Sequence, residues 1–135
     1  MTNKLIKKKI YYIFFILFFS LITNQQNANE ILIYADQITY DQKNNIIAKG
    51  KAKILYENQI ISSNLIIYSQ TTRDITLPIK FSLKDERNNH YYGSSGSFKS
   101  NFKVGNINDV KVLLKDGSRI VGTNIKRDGE IDIVS

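Results

Sequence analysis

From Glu30 onward apolar and polar residues alternate along the chain, and the alternation predicts strands almost throughout. Leu32, Tyr34, Ile38 and Tyr40 fall on one face at period two, with Asp36 the polar member of the row. Past a polar turn ending at Asn45, one face takes Ala48, Gly50, Ala52, Ile54 and Tyr56, and the other takes Lys49, Lys51, Lys53 and Glu57. A helix would not sort lysines in this way; a half-buried antiparallel strand does. Residues 60–68 form the next strand and residues 69–74 a turn. Ile75, Leu77, Ile79, Phe81 and Leu83 then alternate with Thr76, Pro78, Lys80 and Ser82, which predicts one strand over 75–83. Pro78 has no backbone donor and suits an edge or a bulge better than a central position. Residues 84–89 read as a charged loop, 91–98 as a strand loosened by glycine, 99–105 as a turn and 107–115 as a strand. Asp116-Gly117 is a hairpin signal, because both residues tolerate positive φ, and 118–126 is the returning strand. Arg127-Asp128-Gly129 gives another turn, and the run 130–135 is too short to close anything alone, so the pattern anticipates a longer protein beyond it.

These blocks carry an internal repeat. Ala35-Asp36-Gln37-Ile38-Thr39-Tyr40 aligns with Ser63-Asn64-Leu65-Ile66-Ile67-Tyr68, then with Gly93-Ser94-Ser95-Gly96-Ser97-Phe98, then with Gly122-Thr123-Asn124-Ile125. The small residue opening each unit falls at 35, 63, 93 and 122, spacings of 28, 30 and 29 that accommodate two strands and two turns. A run of similar hairpins would give such spacing without any repeat; the shared small, polar, x, apolar, x, aromatic order favours a true one.

The first 29 residues follow another pattern. Lys4, Lys7, Lys8 and Lys9 precede an uncharged apolar run from Ile10 to Ile22, and a polar stretch with Ala28 follows. Thirteen residues fall short of the roughly 20 that span a bilayer, so residues 1–29 are expected to be a secretory signal peptide. Gln26 stands where a cleavage site prefers a small residue, so an uncleaved anchor is the alternative. Either way the body, residues 30–135, is expected to be exported, and without a cysteine it does not depend on disulfides. Much of the formal charge of +7 belongs to this leader: from Glu30 onward 15 basic residues face 12 acidic ones. They are interleaved singly, as on a solvated face, so nucleic acid is not an expected partner.

Candidate chemistry is sparse. His90 is the single histidine and has no cysteine or acidic pair at ligand spacing, so neither a metal nor a cofactor is expected. Gly93-Ser94-Ser95-Gly96 does not match the G-x-S-x-G elbow of hydrolases, and no triad or paired carboxylates are present, so no enzyme is expected. Asp36 could meet an amine or a cation, but it reads first as a satisfied polar group near a strand end. The row Lys49, Lys51, Lys53 could meet anionic phosphates, but it also reads as a solvated outer face. Tyr34, Tyr40, Tyr56 and Tyr68 suit a groove mouth, having one apolar and one hydrogen-bonding end, and suit an ordinary core or surface as well.

The strand from Tyr34 to Tyr40, the polar turn and Ile47-Ala48-Lys49-Gly50-Lys51-Ala52-Lys53-Ile54 resemble the opening of the OstA-like domain of the lipopolysaccharide-transport proteins LptA, LptC and LptD. Tyr92-Gly93-Ser94-Ser95, Lys103-Val104-Gly105 and the segment from Val110 to Ile120 are similar to its later turns, most of all as it stands at the front of LptD. The resemblance covers residues 30 to about 127. It departs where Thr76-Leu77-Pro78-Ile79-Lys80 lacks the glycine of the first unit and where Ser94 stands in place of an aspartate.

That resemblance implies an all-β, open, twisted two-layer β-sandwich, a jellyroll folded like a taco from repeated antiparallel hairpins, whose apolar interior holds lipid A acyl chains. Ile38, Ile54, Tyr56, Ile66, Tyr68, Ile75, Leu77, Ile79, Phe81, Leu83, Val112, Leu114 and Ile120 are the candidates for that groove. If the two sheets meet fully these side chains are simply core; if the sheets splay they line the groove. The implied partners are lipopolysaccharide and other OstA-like domains joined edge to edge, with Ile31, Ile33, Ile131 and Ile133 on the candidate edges. An LptD-like chain would add an outer-membrane β-barrel and its lipoprotein partner, and would sit in the periplasm attached to the outer membrane. The alternatives are a free LptA-like bridge, an LptC-like bridge that keeps residues 10–22 as a membrane anchor, or a structural β-solenoid or adhesin-like fragment that buries the same residues and binds no lipid.

Overall fold

The computed structural model describes Lys7, residues 30–129 and the backbone of residues 131–134, so the anticipated signal segment lies, Lys7 aside, outside the described residues. From residue 30 on, the described residues form strands and turns only. The strands are β1 (Leu32–Tyr34), β2 (Gln37–Tyr40), β3 (Asn45–Tyr56), β4 (Gln59–Ser69), β5 (Asp74–Leu77), β6 (Phe81–Lys84), β7 (His90–Gly93), β8 (Ser95–Lys99), β9 (Val104–Leu113), β10 (Arg119–Asp128) and β11 (Ile131–Val134). All belong to one antiparallel sheet.

The pairing is a plain meander folded in half. β1 and β2 lie end to end along β3, β3 pairs with β4, and β4 pairs with both β5 and β6. β5 and β6 pair in turn with β8 and β7, which both pair with β9, and β10 and β11 follow. Every strand is interrupted at the same line across the sheet. The interruptions fall at Asp36, Lys51, Asn64, Ile79, Ser94, Asp109 and Thr123, steps of 13 to 15 residues. They divide the sheet into one half made of β1, β6, β7 and the near parts of β3, β4, β9 and β10, and a second half made of β2, β5, β8, β11 and the remaining parts. The repeat units opening at 35, 63, 93 and 122 mark every second crossing of this bend.

Local chemistry makes the bend. In β3, Gly50 at φ 77° and Lys51 at φ 45° form a bulge, two residues opposite one on β4. Pro78 cannot donate to a ladder, and between β5 and β6 the chain leaves one half for the other. Asp109 in β9 also takes a positive φ, 48°. Backbone and side-chain groups freed at the bend find partners along it: the Asp36 amide donates to the Gly50 carbonyl at 2.9 Å, and the Ser94 hydroxyl donates to Asp109 Oδ2 at 2.7 Å. Asn124 Nδ2 donates to Asn108 Oδ1 at 3.0 Å, and Asn108 Nδ2 to Ser95 Oγ at 2.9 Å. Small residues are needed on the inside of the crease. A Cβ on Gly93 would stand 2.4 Å from Ile107 Cγ2 and 2.8 Å from Phe81 Cε1.

Several expectations are corrected by this bend. Residues 75–83 are two strands, not one, and so are residues 91–98, which break at Ser94. Residues 104 and 105 belong to β9, not to the preceding turn. Leu32 and Tyr34 do not share a face with Ile38 and Tyr40: Tyr34 pairs with Lys53 on the outside, whereas Ile38 pairs with buried Ala48 on the inside. The solenoid alternative falls as well, since that architecture stacks parallel strands and this sheet is antiparallel.

The turns repeat too. Asp41-Gln42-Lys43-Asn44-Asn45 and Asp85-Glu86-Arg87-Asn88-Asn89 fold alike, with Asn44 and Asn88 at φ 62° and 64°. In each, the aspartate Oδ1 accepts two backbone amides and Oδ2 accepts the amide of the closing asparagine. These bonds from Asn45 hold the Asp41 carboxyl below its ordinary pKa. At the crease the expected outcome is specific: Gly93→Ala lowers the unfolding free energy by about 2 kcal/mol, read as a lower urea midpoint at unchanged slope. An unchanged midpoint would mean that the halves do not close on each other at the bend.

Candidate functional site

Directly paired residues on neighbouring strands point to the same face, so the inside of the folded sheet is built of rows. Ile33, Ile54, Ile61, Leu83, Tyr91 and Val112 form one row on the first half. Ile46, Tyr68, Ile75, Phe98 and Gly105 form one on the second. The halves touch: the Phe81 and Phe98 rings meet edge to face at 6.0 Å, and Phe102 lies 5.9 Å from Tyr56.

The candidate groove residues separate by place. Ile54, Ile66, Ile75, Leu77, Phe81, Leu83 and Val112 are all buried, at 5% exposure or less, in one core cluster. Tyr56, Tyr68 and Leu114 are half-buried against it. Ile38 and Ile120 are exposed, on the strands at the two ends of the meander, and Ile79 is exposed in the link that crosses the bend. Ile31 and Ile33 pack inward against the core at the β1 edge. Ile131 and Ile133 lie on β11, at the other end of the strand order, opposite Asp128 and Lys126 of β10. In this state the sheets meet and the interior is core.

The rims opposite the bend are joined by a polar latch that the sequence pattern did not single out. Asp85, in the turn after β6, and Arg127, on β10, come from different halves and pair at 3.5 Å with side chains only 5% and 13% exposed. Tyr91 donates its hydroxyl to Asp85 Oδ2 at 3.3 Å, and the Arg127 guanidinium lies over the Tyr91 ring at 5.2 Å. Arg127 also donates to the Phe102 carbonyl at 3.4 Å. Buried Gln59 spans the same gap, donating to Glu86 Oε1 at 3.2 Å and to the Asn101 carbonyl at 3.3 Å. A polar recess of about 110 Å³ lies over these groups. The shared D-x-[K/R]-N-N pattern of the two turns was legible in the sequence; the pairing of Asp85 with a residue 42 positions later was not.

The polar residues singled out in the sequence are not brought together. Ser94 is engaged with Asp109 at the bend, His90 sits on the outer face of β7 between Lys84 and Leu113, and Asp36 lies at the bend with an exposed side chain. Among the described residues no three of His, Cys, Asp and Glu stand close enough to hold a metal. What the arrangement offers is an apolar interior between two sheet halves, hinged along one line and fastened along the other.

This is the fold of a bent β-jellyroll. Among solved structures it is similar to LptH, described as the LptA homologous periplasmic component of the conserved lipopolysaccharide transport device from Pseudomonas aeruginosa. The TM-score is 0.66 over 79% of this chain and 82% of that one, at 16% sequence identity. No family model and no curated protein sequence matches the chain.

The latch is separable from its turn. Asp85→Ala removes both the turn bonds and one partner of a buried ion pair, with an expected loss of about 3 kcal/mol. Asp41→Ala, which removes only the equivalent turn bonds, is expected to cost about 1 kcal/mol. Equal losses in urea unfolding would show that the contacts across the mouth contribute nothing.

Proposed function

We propose that this chain is an exported carrier module for lipopolysaccharide that accepts lipid A acyl chains between the two halves of its bent sheet and catalyses no reaction. The observation that carries the reading is the continuous apolar interior of a sheet closed only by a bend on one side and a latch on the other. The fold likeness to a periplasmic component of a lipopolysaccharide transport device supports it, and so do the short motifs of the first repeat unit.

The energetics allow the interior to open. Deleting one partner of a buried ion pair costs about 3–5 kcal/mol, which is an upper bound for a latch that opens with both charges returned to water, and each acyl methylene removed from water contributes about 0.8 kcal/mol. Four to six methylenes therefore offset the latch, by the same estimates. The candidate groove residues, from Ile54 and Ile66 to Val112, would then exchange contacts with one another for contacts with acyl chains. Passing the lipid to an equivalent interior next door is nearly neutral, so direction must come from a driven step elsewhere.

The ends of the meander supply the junctions. Among the described residues β1 and β2 at one end and β11 at the other are paired on one side only, and another OstA-like domain could add a strand there. An LptA-like bridge in the periplasm is the form that the structural likeness favours. The front domain of an LptD-like protein, attached to the outer membrane with a barrel and a lipoprotein partner, is the form the sequence motifs favour. The native size and membrane fraction of the product in source cells separates the two.

The carrier reading is tested by photo-crosslinking in cells. A benzoylphenylalanine replacing half-buried Tyr56 or Tyr68, on the inside, is expected to link to lipopolysaccharide, and one replacing Thr76, on the outside, is not. Equal labelling at all three sites, or none at any, contradicts carriage in the interior.

A further inference from the structure

On the outside of the bend, across β3, β4, β6 and β7, lies a groove of about 560 Å³. Lys51, Lys53 and Lys80 stand around it, with Asn64, Ser62, Ser82 and the ring of Tyr92, and no acidic residue lines it. The cross-strand register carries the row on: Lys53, Ser62, Ser82, Tyr92 and Lys111 are successive partners. Lys53 and Tyr92 are thus three strand spacings apart, roughly 14 Å.

Two features set this row apart from an ordinary solvated lysine face. The ion pairs seen between described residues, Lys99 with Asp74 and Arg127 with Asp85, do not involve Lys51, Lys53 or Lys80. An exposed aromatic ring also stands among them, Tyr92 at 46% exposure, in reach of hydroxyls and an amide. Ammonium groups attract an anion; a flat ring beside hydroxyl and amide groups suits the C–H face and hydroxyls of a sugar. The hydroxyl and amide groups among the lysines favour a sugar over a bare phosphate surface.

We propose that this outer crease groove binds an anionic saccharide, a sugar ring carrying a phosphate or carboxylate, with Lys51, Lys53 and Lys80 on the charge and Tyr92 against the ring. The groove lies on the opposite face of the sheet from the interior, so it stands whether or not the interior accepts acyl chains.

The test uses the full chain, isotope-labelled, with its backbone amides followed during titration with glucose 6-phosphate, with inorganic phosphate and with phosphatidylglycerol vesicles. Glucose 6-phosphate is expected to shift the amides of Lys53, Ser62, Ser82 and Tyr92 saturably. Lys51→Gln/Lys53→Gln/Lys80→Gln is expected to weaken that response about tenfold or more. Tyr92→Ala is expected to weaken glucose 6-phosphate about fivefold while leaving inorganic phosphate unchanged. Unshifted amides at buried Phe98 and Ile107 certify that each variant folds. Undiminished binding by the triple variant, equal responses to the sugar phosphate and inorganic phosphate, or a response to vesicles alone would each overturn the proposal.

Discussion

The structure depends on the coincidence of its bends. A meander can fold in half only if each strand gives way at the same distance from its turns, and one strand that ran straight through would hold the two halves in a plane. Steps of 13 to 15 residues place all seven interruptions on one line, by different chemical means. A glycine bulge serves in β3, a proline between β5 and β6, a serine beside Gly93, and an aspartate at positive φ in β9. From that alignment the facing rows, the apolar interior and the meeting of the rims all follow.

The rims are where the fold is least apolar and most adjustable. Asp85 holds its own turn with one carboxylate oxygen, while the other accepts Asn89 and Tyr91 and faces Arg127 from the opposite half. A single side chain thus fixes a loop and closes the mouth. Most of the closure energy lies in buried aliphatic and aromatic surface, which acyl chains could replace, and the remainder lies in a polar cluster that they could not. In the proposed carrier, opening therefore exchanges like for like inside and concentrates its net cost at the latch.

Much of the strand content was legible because period two survives within each half of the sheet. It fails at the bend, for a geometric reason. In β4 the buried side passes from Ile61 to Ile66, and in β9 from Ile107 to Val110, so the inward parity changes by one residue as the chain crosses. Between β5 and β6 three linking residues preserve the parity, and the run 75–83 consequently looked like one uninterrupted strand. The small-polar pairs of the repeat were visible, but their meaning as crossing points needed the register. The latch was hidden because it joins a turn residue, Asp85, to a strand residue 42 positions later, Arg127, although the paired D-x-[K/R]-N-N sequences announced identical turns.

The central claim concerns what occupies the interior, and native mass spectrometry of the chain purified gently from the envelope of its source cells tests it most directly. The expected spectrum contains a second species heavier than the polypeptide by one lipid A-bearing glycolipid, and collisional activation releases that mass. The same species should vanish when a bulky residue replaces interior Ile107 in a variant that still folds. A spectrum with polypeptide mass alone, under conditions in which another lipopolysaccharide carrier from the same envelope retains its adduct, would contradict the account.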